Sequence, residues 1–194
     1  MKYAEKYKKI FEGGGFLRNN EVKTNKKVFI FDGGGLRRVR YDIKNFVDNN
    51  PGSMLLDYGC GDAKGWHTKV RIDPKGPKEQ MTFLEFFGPN LGGFYRYDPY
   101  HPIYQKRPPK IEYDIVTVVD VLEHIPLDEL PKVLKDINDF ISTNGIVIIT
   151  VPKNLSKNSF IDGENMHCTL LSTKEWGNLI KKYIKKKSQL THYI

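Results

Sequence analysis

The sequence predicts an α/β fold built as an open, mostly parallel sheet with helices on both faces, a three-layer αβα sandwich. Three observations carry this prediction. The runs SMLLDY (53–58), YDIVTVVD (113–120) and IVIITVP (146–152) are apolar with little alternation, as strands covered on both faces must be. Segments of helical periodicity separate the runs, most clearly LDELPKVLKDINDFI at 127–141. A turn of small residues, Gly59–Cys60–Gly61, follows the first run directly. Open α/β sheets bind their ligands at such a place, beyond the carboxyl ends of the strands.

The elements follow in order. Residues 1–38 are polar and glycine-rich, with two similar stretches, FEGGGFLR (11–18) and FDGGGLRR (31–38). Each triple glycine reads as a turn or loop. This region is taken as an N-terminal extension and candidate substrate lid, and 39–194 as the ligand-binding domain. Val39, Ile43, Phe46 and Val47 recur at helical spacing and predict a helix over 39–49, ended by Asn49–Asn50–Pro51–Gly52. After the first strand, residues 66–92 hold Pro74 and Pro77, a helix at KEQMTFLEFF (78–87) and a turn at GPNLGG. GFYRYD (93–98) reads as the second strand and HPIYQKRPPK (101–110) as a loop. VLEHIP leaves the strand at 113–120, and Asn144–Gly145 is read as closing the helix before the strand at 146–152. A loop (153–166), a strand start at MHCTLL, a helix at STKEWGNLIKKYI and a short strand at QLTHYI complete the chain. Asp57, Asp98 and Asp120 each end a strand, so three acids converge on one crevice.

Composition narrows the class. The chain has 194 residues, 39% hydrophobic and 28% charged, which suits one globular domain. No apolar run reaches the ~18–20 residues of a membrane span, and MKYAEKYKKIF lacks the apolar core of a signal peptide. Cys60 and Cys168 show no paired metal spacing, so a reducing, cytoplasmic setting is expected. The formal net charge is +8. Its clusters, Lys6–Lys8–Lys9, Lys23–Lys26–Lys27, Arg37–Arg38–Arg40 and Lys181–Lys187, suit a nucleic-acid partner, an acidic substrate or a merely solvated surface.

The loop at 59–61 resembles a dinucleotide loop only in part. The third glycine of that fingerprint would fall at position 64, where Lys64 stands, with Gly65 one residue late. Asp57 would repel a pyrophosphate but suits a ligand bearing an ammonium and a sulfonium, such as S-adenosylmethionine (SAM). LLDYGCG (55–61) resembles motif I of the class I SAM-dependent methyltransferases. YDIVTVVDVLEHIP, a helix and NGIVIITVP resemble the central region of that superfamily, in the subgroup with a V-L-E-H turn. MHCTLLSTKEW is similar to that subgroup's H-x-x-x-x-S-x-x-E-[LFW] segment. The match spans about 40–182.

The resemblance implies a Rossmann-like methyltransferase fold, SAM as cofactor and S-adenosylhomocysteine as product. It implies that Asp57 and the loop Tyr58–Gly59–Cys60–Gly61 hold the methionine part of SAM. Asp98 would take the ribose hydroxyls, Pro99 and Tyr100 would flank the adenine, and Asp120 and Val121 would lie below the methyl group. Two departures stand out. The gap from Asp57 to Asp98 is 41 residues, about twice the family's usual spacing, so 66–92 reads as an insertion, placed over the pocket. The family's adenine-contacting acid before the strand at 113–120 has no counterpart.

Methyl transfer is an in-line displacement that needs alignment and sometimes a base. His124 is the candidate base, with Asp120 as its catalytic neighbour; alternatively Glu123–His124 only shapes the turn. Asp120, Glu123 and His124 stand at i, i+3 and i+4, and with His167 they are similar to the metal site of small-RNA 3′-end 2′-O-methyltransferases. That set would suit a divalent ion, although relatives with V-L-E-H are usually metal-free, and no metal is the expectation. No [D/N]-P-P-[Y/F] follows the strand at 113–120 and neither cysteine follows proline, which argues against DNA base methylation. The expected activity is transfer of a methyl group to oxygen or nitrogen of a small-molecule acceptor. Two alternatives are an RNA methyltransferase of the 2′-O type, with or without a metal, and a non-catalytic SAM-binding protein. Asp57 and Lys64 disfavour a dehydrogenase.

Overall fold

A computed structural model of the chain describes residues 3–24, 31, 34–72 and 80–193. Helix α1 (Tyr3–Phe11) leads through Gly13 and Gly14 into strands β1 (Gly15–Arg18) and β2 (Glu21–Thr24). A 3₁₀ turn over Gly34–Arg38 precedes α2 (Arg40–Asn49) and β3 (Ser53–Tyr58). A 3₁₀ turn at Lys64–Trp66, the two-residue strands β4 (Val70–Arg71) and β5 (Gln80–Met81), and α3 (Phe83–Phe87) lie between β3 and β6 (Leu91–Tyr97). Next come β7 (Tyr113–Val119), a 3₁₀ turn at Leu122–His124, α4 (Leu130–Phe140) and β8 (Ile141–Pro152). Strand β9 (Asn158–Ser159), α5 (Thr173–Tyr183) and β10 (Lys187–Tyr193) follow.

Five strands form the central sheet in the order β10-β8-β7-β3-β6. Every neighbouring pair is parallel. Successive side chains of a strand face opposite sides, and the core divides accordingly. Leu56, Val116, Val118, Val147 and Ile149 pack on one face with Leu134, Ile137 and Trp176 of α4 and α5. Leu55, Ile115, Ile146 and Ile148 pack on the other with Ile43, Val47, Phe83 and Phe87 of α2 and α3. This division makes three layers and explains why the strands read as continuous apolar runs. Burying each such side chain contributes roughly 1.5–3 kcal/mol before conformational entropy is charged against it. The chain leaves β3 for β6 on one side and returns to β7 on the other, so the switch point lies between β3 and β7.

A second layer of structure sits above that point. Strand β1 pairs antiparallel with β2 and with β9, and α1 packs Tyr7 and Ile10 against Phe16, Phe160 and Met166. Lys6, buried on α1, ties the helix down through ion pairs of 2.5 Å to Asp162 and 2.5 Å to Glu164.

Several sequence expectations need correction. The helix expected over 78–87 begins only at Phe83, because Thr82 and Glu85 form a capping box that starts it there, while Gln80–Met81 pairs with β4. Asn144–Gly145 does not end α4. The helix stops at Phe140, and β8 runs through residues 142–145 as a bulge, the register with β7 jumping from Tyr113↔Ile141 to Ile115↔Ile146. MHCTLL forms no strand; its backbone serves the turn after β7 instead, with the Thr169 N–H donating to the Glu123 carbonyl. The last strand begins at Lys187, two residues before QLTHYI. Pro74 and Pro77 lie outside the described residues, as do Lys26 and Lys27. The described part of 66–92 packs Trp66, Ile72, Phe83 and Phe87 into the core beside α2. This segment contributes none of its described residues to the lining of the cavity described below. Its aromatic side chains find their apolar partners on the sheet face.

Candidate active site

The loop after β3 forms the floor of a cavity of about 280 Å³, near the lower end of the roughly 300–1,000 Å³ usual for ligand pockets. Gly59 (φ 78°) and Gly61 (φ 58°) take left-handed backbone angles, which glycine adopts without steric cost. Space also requires them. A Cβ on Gly59 would lie 2.4 Å from Val121 Cγ2, and one on Gly61 would lie 2.2 Å from the Phe31 carbonyl oxygen. The loop is thus clamped between the turn after β7 and the N-terminal segment, which accepts the Asp62 N–H on that same Phe31 oxygen at 2.8 Å.

Asp57 lies beneath this loop at 3% exposure. Trp66 Nε1 donates to its Oδ2 at 2.7 Å and Thr117 Oγ1 to its Oδ1 at 2.8 Å. Burial pushes its pKa up to about 6 against the pull of these two donors, and the Asp98 charge adds to the rise. Asp98 is also buried, and burial raises its pKa. Its Oδ2 accepts the Gly61 N–H at 3.1 Å and its Oδ1 the Tyr100 N–H at 2.9 Å. Cys60 and Tyr58 complete the floor. Burial pushes the Cys60 thiol far up, so it is inert as a nucleophile, and the Tyr58 hydroxyl donates away to Asp136 at 3.0 Å.

Asp120 follows β7 with φ 56°, a left-handed angle that aspartate and asparagine reach more readily than other non-glycine residues. Its Oδ1 accepts from Thr150 Oγ1 at 2.7 Å and its Oδ2 from Arg38 at 2.7 Å. The Arg38 guanidinium in turn lies 3.9 Å from the centre of the Tyr193 ring. Gly35 permits this approach, since a Cβ there would meet Asp120 Oδ2 at 2.7 Å.

The 3₁₀ turn after β7 carries Glu123 and His124. Glu123 is 1% exposed, and burial followed by the Asp120 charge holds its carboxyl well above the usual range. Burial, with His167 nearby, lowers the His124 pKa to about 4, and burial lowers that of His167. Both imidazoles are therefore neutral at pH 7, and His124 is a weak proton acceptor. Tyr7 of α1 reaches the same spot, its hydroxyl 2.7 Å from His124 Nδ1 and 2.7 Å from the Met166 carbonyl oxygen.

The structure brings the sequence candidates together. Asp57, Tyr58, Gly59, Cys60 and Gly61 all line the one cavity, as do Asp98, Pro99 and Tyr100 from the end of β6. Asp120, Val121, Glu123, His124 and His167 line its opposite side. Sequence reasoning missed Tyr7, Phe31 and Tyr193, which also line it, and Arg38, which reaches its edge by the hydrogen bond to Asp120. Only Arg38, within a basic cluster facing an acidic site, carried any signal. The other three reach the site through tertiary packing.

Sheet order and cavity position already set the chain in the open parallel α/β class, whose ligands sit at the strand switch point. Comparison with protein families narrows this class. The methyltransferase domain matches residues 35–183, so the chain belongs to that family, and its fold is the Rossmann-like methyltransferase fold. Neither the curated proteins nor the solved structures contain a match to this chain.

Proposed function

We propose that the protein transfers a methyl group from SAM to an oxygen or nitrogen of a small-molecule acceptor, releasing S-adenosylhomocysteine. One observation carries the reading: the Gly59–Gly61 loop at the switch point, with Asp57, Asp98 and Asp120 around one cavity. A low-dielectric cavity lined by carboxylates favours a cationic ligand, and SAM bears both an ammonium and a sulfonium. In this assignment Asp57 and the loop from Tyr58 to Gly61 face the methionine part. Asp98 exchanges its Gly61 and Tyr100 contacts for the ribose hydroxyls, Pro99 and Tyr100 border the adenine, and Val121 and Asp120 lie beside the methyl group. The acceptor's lone pair forms the new bond to the methyl carbon, the carbon–sulfur electron pair stays on sulfur, and the acceptor's proton passes to solvent water. In this reading His124 borders the acceptor, beside Glu123 and His167. Its low pKa suits alignment better than proton removal.

Two features favour a small acceptor over RNA. Tyr7 and Phe31 roof the cavity, their rings in edge contact at 5.7 Å. The lysine cluster at 181–187 sits at the opposite end of the sheet. Lys187 pairs with Ile146 while Tyr193, at the cavity, pairs with Pro152, a span of roughly 20 Å at ~3.3 Å per residue. The test incubates the protein with methyl-labelled SAM and panels of hydroxyl- and amine-bearing small molecules beside RNA oligonucleotides. Label transfer to a small molecule is expected, and transfer confined to RNA would contradict the reading.

A further inference from the structure

Three side chains of metal-ligating type, Glu123, His124 and His167, face one another in the cavity. Both carboxyl oxygens of Glu123 are buried and have no hydrogen-bond partner among the described residues. The nearest imidazole atom, His124 Nε2, lies 3.8 Å from Glu123 Oε1, beyond hydrogen-bond reach. His124 Nδ1 lies 2.9 Å from the Met166 carbonyl oxygen. A carbonyl only accepts, so Nδ1 carries the hydrogen and Nε2 keeps its lone pair. The Tyr7 hydroxyl agrees with this tautomer, because it donates to the same carbonyl. His167 repeats the arrangement with its Nδ1 2.7 Å from the Asn154 carbonyl oxygen. The two rings meet edge to face at 5.0 Å, and one ligand atom from each of Glu123, His124 and His167 lies within 4.8 Å of the others.

We propose that Glu123, His124 and His167 bind one divalent first-row transition ion of the zinc type. A buried carboxylate with no counter-charge costs several kcal/mol, on the order of the desolvation penalty per ion, and a cation among these atoms removes that cost. Imidazoles that ligate metals donate their other ring nitrogen to a carbonyl or carboxylate, and both histidines here do so. Asp120 is not a ligand in this arrangement, because Arg38 and Thr150 already hold its two oxygens. A donor set of two imidazoles and one carboxylate suits Zn²⁺, Co²⁺ or Fe²⁺ and excludes the all-oxygen preference of Mg²⁺ and Ca²⁺. Three protein ligands leave positions open toward the cavity. Where the proposed methyl transfer holds, those positions would take a hydroxyl oxygen of the acceptor and raise its acidity.

The test uses full-length protein freed of metal by chelator and dialysis, then titrated with Co²⁺ in the visible and with Zn²⁺ by calorimetry. Saturation at one ion per chain is expected, with cobalt absorption bands of nitrogen and oxygen ligation. Glu123→Gln and His167→Gln should each weaken binding by more than the ~10–100-fold typical of losing an outer-shell partner, while His67→Gln should leave it unchanged. Absence of binding by the folded wild-type protein would overturn the proposal, as would unchanged affinity in the Glu123→Gln, His167→Gln double variant. S-adenosylhomocysteine titrated into the metal-free protein separates the two claims. Cofactor binding without metal binding removes the metal site alone, and metal binding without cofactor binding removes the methyl-transfer reading alone.

Discussion

At the scale of single residues, Asp57 sets the chemistry of the floor. Its folded pKa of about 6 exceeds the ordinary 3.8, so between those values the native state binds more protons than the unfolded chain. Stability contributed by this group is present at low pH and is lost as pH rises through about 6, to a total of about 3 kcal/mol at 1.36 kcal/mol per unit. Asp57→Asn can accept from Trp66 Nε1 and donate to Thr117 Oγ1. Chemical denaturation at a series of pH values should therefore show this variant losing less stability from pH 4 to pH 7 than the parent. Cofactor affinity should move the other way. An ionised carboxylate near an ammonium is worth ~1.5–3 kcal/mol, so Asp57→Asn should weaken SAM binding by roughly 10- to 100-fold. Equal affinities would remove Asp57 from the cofactor site. Gly59→Ala pushes a Cβ onto Val121 at a left-handed angle. A loss of ~1–3 kcal/mol in unfolding free energy is expected, and an unchanged melting temperature would show that the loop relaxes freely. Asp57 was legible in the sequence because a carboxylate ahead of a glycine turn limits which ligand the turn can accept. Trp66 and Thr117, which hold it, were not, since nothing in a linear pattern marks the hydrogen-bond partners of a buried acid.

At the scale of elements, the sheet strands were the most legible part. A parallel strand covered on both faces leaves a continuous apolar signature, and β3, β7 and the second half of β8 carry one. The errors fell where local signals competed with pairing. Asn144–Gly145 looks like a helix stop, yet the strand continues across it as a bulge because Ile141 already pairs with Tyr113. Thr82 overrides the helical pattern at Gln80–Met81 through its capping box. Helix α1 does carry a local signature, Tyr3, Tyr7 and Ile10 recurring at i, i+4 and i+7, which the reading of 1–38 as a polar, glycine-rich extension passed over; its approach to His124 had none. Lys6 holds that helix, and its partners Asp162 and Glu164 are about half exposed, so the two ion pairs together contribute at most ~1 kcal/mol. Lys6→Met should speed amide exchange in α1 by up to about fivefold, the equivalent of that energy. Exchange in β7 and β8 should not change. Equal acceleration in the central strands would mean that α1 is part of the cooperative core and not a separable roof.

At the scale of the whole molecule, the fold keeps one basic cluster apart from the acids of the cavity. Acids gather at the carboxyl ends of the strands, while the lysines of 181–187 stand at the amino end of β10. No helix among the described residues is long and apolar enough to cross a membrane. The lysines of 181–187 were readable in the sequence, but their distance from the cavity was not, since distance depends on the strand order. The separation predicts that methyl transfer to a small acceptor has a weak salt dependence. A polyanionic acceptor would instead show a steep loss between about 50 and 200 mM salt. The central claim is that SAM occupies the cavity over the Gly59–Gly61 loop, and calorimetric titration of the full-length protein with S-adenosylhomocysteine tests it most directly. The account predicts one site per chain, with heat lost in Asp57→Ala and Gly61→Ala proteins that remain folded by circular dichroism. A folded wild-type protein giving no binding heat and no thermal stabilisation at millimolar ligand would contradict it.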